Sequence, residues 1–227
     1  MRVYDVGEYV VSGKDEVRFP FVIADYLPRT LRDSMRAGLL MTEKMAFALQ
    51  MVSALSYLDS HAPSIVHRDI KPENIFVRGK ACILGDFGLM KFVGDGDIEA
   101  DKKFMIESTG VRLPYFYRTP DLVNYCRNVG TLSARSDVFQ IGLVFAEMFS
   151  GVNPLKKCKD ILDPVELNEL TQIPCSRSLA VALHAYLQRM LDFDAGRRIS
   201  PEELFDPLEG LFLQAVSASL DLEGKVF

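Results

Sequence analysis

A histidine, an arginine, an aspartate, a lysine and an asparagine crowd the stretch VHRDIKPENIFV, residues 66–77, between apolar flanks. Asp69 and Asn74 are five positions apart, with Pro72 in the turn between them. At that spacing a carboxylate and an amide can face one pocket from a loop. The carboxylate can accept a proton, and the amide oxygen can bind a hard cation such as Mg²⁺. Lys71 sets a positive charge beside them. Asp86 follows Asp69 by 17 residues, in the stretch LGDFGLMK, with Gly88 available for a sharp turn. It offers a second oxygen ligand for the same cation. A carboxylate to orient a nucleophile, two metal ligands and a cation for the transferred group are an inventory suited to phosphoryl transfer.

Each piece alone is common: a lone DFG is more often a turn, and a lone HRD is a polar loop. The ordered pair, HRDIKPEN and then DFG, carries the signal. The elements that must hold it can be read from periodicity. RVYDVGEYVV and VRFPFVIADYL flank a Gly-containing polar turn and predict a β-hairpin. From Thr42 to about His61, Met45, Leu49, Val52, Leu55 and Leu58 recur at helical steps, with Thr42 as the expected N-cap. Short strands are expected at SIV, NIFV and ACIL. Asp86 to Asp121 has no clear period and reads as a long loop, functional or disordered. DVFQIGLVFAEMFSG is apolar nearly all round, which predicts a buried central helix ended by Gly151. SLAVALHAYLQRMLDF is amphipathic, and SPEELFDPL suggests a helix with Ser200 as N-cap and Pro201 at its first position.

A chain of 227 residues can bury a substantial core, and 48% apolar with 25% charged residues excludes wholesale disorder. A net charge of -5 argues against a general nucleic-acid binder. Cys82, Cys126, Cys158 and Cys175 are too scattered for a zinc or redox motif and read as reduced thiols. The N-terminus lacks the apolar core of a signal peptide, and the most apolar stretch is far short of a membrane span. The expectation is a cytoplasmic protein with no nucleic-acid and no membrane partner.

In order and spacing these stretches resemble the eukaryotic-type serine/threonine protein kinase family. HRDIKPEN resembles its catalytic loop, DFG its metal-binding loop, and YRTPDL the end of its activation segment. SDVFQIG resembles the start of its central helix, and DAGRRIS its late arginine motif. The resemblance implies an α+β, protein-kinase-like fold: a residual N-lobe hairpin and hinge over residues 1–27, and a mainly helical C-lobe over 28–227 with an activation segment at 86–121. It implies ATP and Mg²⁺ as cofactors, a protein substrate, and transfer of the γ-phosphate to a protein hydroxyl. Asp69 would orient the hydroxyl, Lys71 would neutralise the γ-phosphate, and Asn74 and Asp86 would hold Mg²⁺. Adenine would bond to backbone groups of Asp25 and Leu27 after Ala24, over a floor that includes Phe76. Arg68 would dock a phosphorylated activation segment, with Ser108 and Thr109 as candidate sites. His67 would stack on Phe87, Asp137 would anchor the catalytic loop, and Arg198 would pair with Asp121. Glu73 stands where arginine-directed members contact a basic substrate residue.

The sequence also departs from the family. A Gly-rich loop, a strand with a phosphate-binding lysine and a helix with its glutamate partner precede the hairpin in the family; here no GxGxxG occurs. Lys14 reads as a solvated turn residue. The expectation is a chain completed by an N-lobe segment or a partner chain, with little turnover alone. Thr119-Pro120-Asp121 replaces Ala-Pro-Glu, so the pair to Arg198 must span with a shorter side chain. Pro114 takes the position of the substrate-facing threonine. The alternative function is a catalytically weak kinase-fold scaffold or binding module. A small-molecule phosphotransferase is a third reading, against which the full set of motifs stands.

Overall fold

The computed structural model describes residues 2–11, 17–94, 115–127, 129–158, 160, 162–168, 170 and 176–223. Lys14, Ser108, Thr109, Pro114 and Cys175 lie outside the described residues.

Residues favouring extended backbone form the first two elements, β1 (Val3–Val11) and β2 (Val17–Ala24). They pair antiparallel from Val3 opposite Ala24 to Val11 opposite Val17. Val6, Tyr9, Phe19 and Val22 all stay exposed, so this hairpin buries neither face among the described residues. Beyond it, Leu27 is buried, and α1 (Leu31–Ala37) begins with a reciprocal cap. The Asp33 carboxylate accepts the Thr30 N–H at 2.9 Å, and Thr30 Oγ1 accepts the Asp33 N–H at 3.3 Å.

α2 (Met41–Asp59) presents the expected stripe, with Met45, Val52, Leu55 and Leu58 buried and Leu49 packed against the core. Its cap differs from the expectation. Thr42 lies inside the helix, and the cap residue is Leu40, whose N–H donates to Glu43 Oε2 at 2.9 Å. Glu43 thus supplies the carboxylate half of a capping box, while Leu40 has no side-chain acceptor to supply the other half. Two short antiparallel pairs follow: β3 (Ile65–Val66) with β6 (Lys91–Phe92), and β4 (Ile75–Arg78) with β5 (Ala81–Leu84). Strand β6 was not legible in its polar surroundings; two residues are too few to show a period.

The helical body is built on α4 (Arg135–Ser150), in which every residue from Ser136 to Phe149 is buried. Gly151 ends it in the left-handed region at φ 79°, its N–H on the Glu147 carbonyl at 2.8 Å. α5 (Arg177–Met190) packs on α4, and α6 (Phe205–Glu223) packs on α2 and α5. Val138, Leu143, Leu179, Leu183, Leu187 and Leu208 are fully buried there. Each such side chain contributes about 1.5–3 kcal/mol. The turn at Ser200 does not open a helix at Pro201. Glu203 takes both the Ser200 N–H and Oγ–H, at 3.0 and 2.7 Å, so the turn closes on itself and α6 starts at Phe205. No helix among the described residues is long and apolar enough to cross a membrane.

Arg198 is 0% exposed and ties this body to α3 (Pro120–Cys126). Thr119 caps α3 through the Leu122 N–H at 3.0 Å, which sets Asp121 in the first turn. Arg198 Nη2 donates to Asp121 Oδ1 at 2.9 Å and Arg198 Nε to the Asp192 carbonyl at 3.0 Å. Its guanidinium lies 4.8 Å over the Phe139 ring. The shorter aspartate does reach, with one oxygen: Asp121 Oδ2 is buried and has no hydrogen-bond partner among the described residues. Arg198→Met is expected to leave a buried carboxylate and buried carbonyls unpaired and to cost about 3–5 kcal/mol. Urea unfolding of the variant measures this; a loss under about 1 kcal/mol would mean the pair is a surface-like contact.

Candidate active site

One face of α4 carries polar side chains into the interior at Asp137, Gln140 and Glu147. Asp137 is 1% exposed. Its Oδ2 accepts the His67 N–H at 2.7 Å and its Oδ1 accepts the Arg68 N–H at 2.9 Å. Burial pushes the Asp137 carboxyl up to about 7, against the pull of these two N–H donors. One turn further, Gln140 Oε1 accepts the Ile70 N–H, while its Nε2 donates to the carbonyls of Arg68 and Tyr117, each at 3.0 Å. Four backbone groups of the 67–70 segment are thereby held from one helix. Sequence reasoning singled out Asp137 and missed Gln140. The available signal was a polar residue one turn on in an otherwise apolar helix, since a buried amide has to find partners.

The 67–74 segment is shaped by these bonds. Arg68 adopts φ 70°, a left-handed conformation that a non-glycine residue keeps only where its surroundings fix it. The Pro72–Asn74 turn then brings Asn74 back over Asp69. Asn74 Nδ2 donates to Asp69 Oδ2 at 2.8 Å and to the Asp69 carbonyl at 2.9 Å. Lys71 Nζ reaches the same Oδ2 at 2.7 Å. Asp69 is 7% exposed, with one oxygen held by two donors and Oδ1 left without a donor among the described residues.

Asp86 is drawn in by β5. Gly85, just before it, donates its N–H to the Asn74 carbonyl at 2.9 Å, and its carbonyl lies 3.0 Å from His67 Nε2. The Asp69 N–H lies 3.4 Å from His67 Nδ1, so His67 donates through Nε2 and accepts through Nδ1, as the neutral ring. Burial holds the His67 imidazole below its usual range, against the pull of the Gly85 carbonyl. His67 stacks on Phe87 with ring centroids 4.6 Å apart, although Phe87 itself is exposed. The sharp turn expected of Gly88 sits at Asp86 instead, which adopts φ 62°; aspartate is one of the few residues that tolerate that region. The Asp86 carboxylate is exposed and carries no donor among the described residues. Arg68 spans the turn that follows, bonded through Nε to the Leu89 carbonyl and through Nη2 to that of Met90 at 3.3 Å.

The segment after β2 lies near the same place. Thr30 bridges Phe76, and the Val77 N–H donates to the Arg29 carbonyl at 2.9 Å. The Asp25 N–H is taken by the Arg2 carbonyl at 2.9 Å, and its carboxylate accepts Tyr4 Oη at 2.7 Å and the Arg2 N–H at 2.9 Å. The Asp25 carbonyl and the Leu27 N–H have no backbone partner among the described residues. The Phe76 ring is half-buried and packs on Gly85, where a Cβ would lie 2.8 Å from it.

A cluster that sequence reasoning missed adjoins the loop. Arg32 Nε pairs with Glu73 Oε1 at 2.8 Å, Nη1 with Glu147 Oε1 at 2.8 Å, and Nη2 donates to Tyr117 Oη at 2.8 Å. The Tyr117 hydroxyl also donates to Glu147 Oε2. Burial alone would lower the Arg32 pKa, but Glu147 and Glu73 hold it above its usual value. Arg32 is 115 residues from Glu147 in sequence, so no local pattern announces the pair.

The donor set fits a divalent cation only in part from protein. Among the described residues no group of three or more His, Cys, Asp or Glu could hold a metal ion. Asn74 Oδ1 and the Asp86 carboxylate are two hard oxygens with no donor on them among the described residues. Two oxygens, with the remainder from water and phosphate, is the way Mg²⁺ is usually held in phosphoryl-transfer sites.

The family model described as the protein kinase domain matches residues 8–207. The chain is similar to serine/threonine-protein kinase tousled-like 2 of Homo sapiens, 30% identical over 176 residues, 73% of this chain and 23% of that protein. It is similar to mitogen-activated protein kinase 7 of Arabidopsis thaliana, 31% identical over 202 residues, 73% of this chain and 50% of that one. A probable serine/threonine-protein kinase, PknB of Bifidobacterium longum, is 31% identical over 160 residues, 68% of this chain and 22% of its own length. The chain therefore spans half or less of the length of these relatives.

Two outcomes follow from the packing around Gly85 and His67. Gly85→Ala places a methyl group 2.8 Å from the Phe76 ring and is expected to destabilise the fold by about 1–3 kcal/mol, read by urea unfolding. An unchanged midpoint would mean the ring moves aside freely. For His67, the unfolded chain takes up a proton near pH 6.5 while the folded one resists. Its contribution is thus present above that pH and lost as pH falls below it. His67→Phe should flatten the acid limb of a Tm profile measured downward from pH 6.5, and an equal slope in both proteins would count against a buried neutral ring.

Proposed function

This chain belongs to the protein kinase family, and from that premise we propose that it is a serine/threonine kinase catalytic region that moves the γ-phosphoryl group of ATP to a protein hydroxyl. The observation that carries the reading is the division of labour on Asp69. Lys71 and Asn74 hold Oδ2, which leaves Oδ1 to accept the hydrogen bond of the substrate hydroxyl. That bond orients the nucleophile and gives its proton an acceptor. Lys71 keeps a positive charge beside the position where phosphoryl oxygens would lie.

When bound, Mg·ATP supplies the phosphoryl group and the charge that neutralises its oxygens. Asn74 Oδ1 and the Asp86 carboxylate are the residues that would hold the Mg²⁺. The Asp25 carbonyl and the Leu27 N–H would bond the adenine edge, with the Phe76 ring beneath. Arg68 holds the turn after Asp86, and a phosphate at Ser108 or Thr109 would act through it. The scattered cysteines support a cytoplasmic setting. A kinase-fold module without turnover is the alternative outcome of the test below.

Radiolabelled γ-phosphate transfer from Mg·ATP to a generic protein substrate should fall by about 10²–10⁴-fold in Asp69→Asn, at an unchanged Tm. Equal transfer by both proteins would remove Asp69 from the chemistry. No transfer by either would return the module without turnover.

A further inference from the structure

A cleft of about 660 Å³ opens between α1, the start of α2, the Tyr115–Tyr117 turn and the end of α4. Its lining is cationic: Arg32, Arg36, Lys44 and Lys156. Glu147 is the one carboxylate in that lining, and it is taken by Arg32 and by the Tyr117 hydroxyl. Glu73, the nearest acidic group on the 67–74 loop side, is taken by Arg32 Nε. Both carboxylates are thus engaged by Arg32, and the four cations outnumber them by two, with Arg36, Lys44 and Lys156 outside that cluster.

Lys44 is the most informative of them. It is half-buried, and its ammonium makes no hydrogen bond or ion pair among the described residues. Burial holds its ammonium below the usual lysine range. It also lies one turn into α2, where a positive charge opposes the helix dipole. Neither helix stability nor an internal partner explains a cation there. Lys156 lies across the cleft, its ammonium 5.7 Å over the Phe116 ring. Arg36 is exposed on α1, one turn beyond Arg32.

We propose that this cleft receives acidic side chains of the protein substrate, on the segment flanking the hydroxyl to be phosphorylated. The inference rests on the kinase reading and names its substrate class. Arg32 provides the continuity. It reaches Glu73, the neighbour of Asn74, on one side and lines the cleft on the other. A segment engaged beside Glu73 would enter the cleft that Arg32 shares with Lys44 and Lys156. The same geometry turns away the basic substrate residue that Glu73 alone would suggest, because an intrachain guanidinium already fills that role.

Anisotropy of labelled peptides with one serine flanked by Glu, by Gln or by Lys tests this without requiring turnover. The Glu peptide is expected to bind about tenfold tighter than the Gln peptide, more weakly as salt rises, with the Lys peptide last. Lys44→Gln together with Lys156→Gln should remove the preference at an unchanged Tm. Equal affinity for the Glu and Gln peptides, or a preference that survives in the double variant, overturns the inference. Inorganic phosphate displacing the Glu peptide as well as unlabelled peptide does would assign the cleft to a small anion and overturn it too. A charge preference without phosphate transfer would sink the catalytic reading in favour of the module without turnover, whereas transfer without a charge preference would sink only this inference.

Discussion

Asp137 is a carboxylate taken almost wholly out of water, and both of its oxygens are spent on the backbone N–H groups of His67 and Arg68. Removing such a group from solvent costs several kcal/mol unless its lone pairs are met, and only a fixed loop can meet them. The loop depends on the helix in the same way. Its left-handed Arg68 and its inward N–H groups would be strained and unpaired without the carboxylate beneath. The rest of the site inherits its position from this bond pair, because Asp69 is the next residue.

The constraint extends along one face of α4. Gln140 repeats the arrangement with an amide, meeting backbone groups of Ile70, Arg68 and Tyr117. Glu147 closes the series through Arg32 and Tyr117. A helix apolar on every other face can carry these three groups because each finds its partners outside the helix. Arg198 performs the converse task at the other end, a fully buried cation meeting backbone carbonyls and the single reaching oxygen of Asp121. The hydrophobic body supplies stability, and these polar contacts decide which backbone conformation that stability is applied to.

Inside the site, the same economy of partners separates roles. Every donor near Asp69 is on Oδ2, so the two oxygens of one carboxylate are chemically distinct. Asn74 gives its N–H groups to Asp69 and keeps its oxygen, and Asp86 keeps its whole carboxylate. Outside the loop, Arg32 consumes the two glutamates that border it, which leaves the adjoining cleft to lysine and arginine. Charge at the centre and charge at the border are thus set by different contacts.

Chain-local pattern made much of this molecule legible. The stripe of α2, the all-round apolar α4 with its terminal glycine, and the short strands around residues 65–84 follow from periodicity and punctuation. Caps were less legible. At Leu40 and Ser200 a glutamate three residues on took the donor, and either end of such a box can do the capping. The motif residues from His67 to Asn74, with Asp86, were legible by type and spacing, because the chemistry needs those groups in that order. Gln140, Glu147 and Arg32 were not, since their meaning lies in partners 23 to 115 residues away. The sequence by itself determined which functional groups are present and which helices bury them, because both are fixed by residue type and local period. Only the tertiary structure decided which oxygen of Asp69 is free, that Asp86 rather than Gly88 takes the left-handed turn, and that Glu73 is already paired, because each depends on which donor arrives from a distant element.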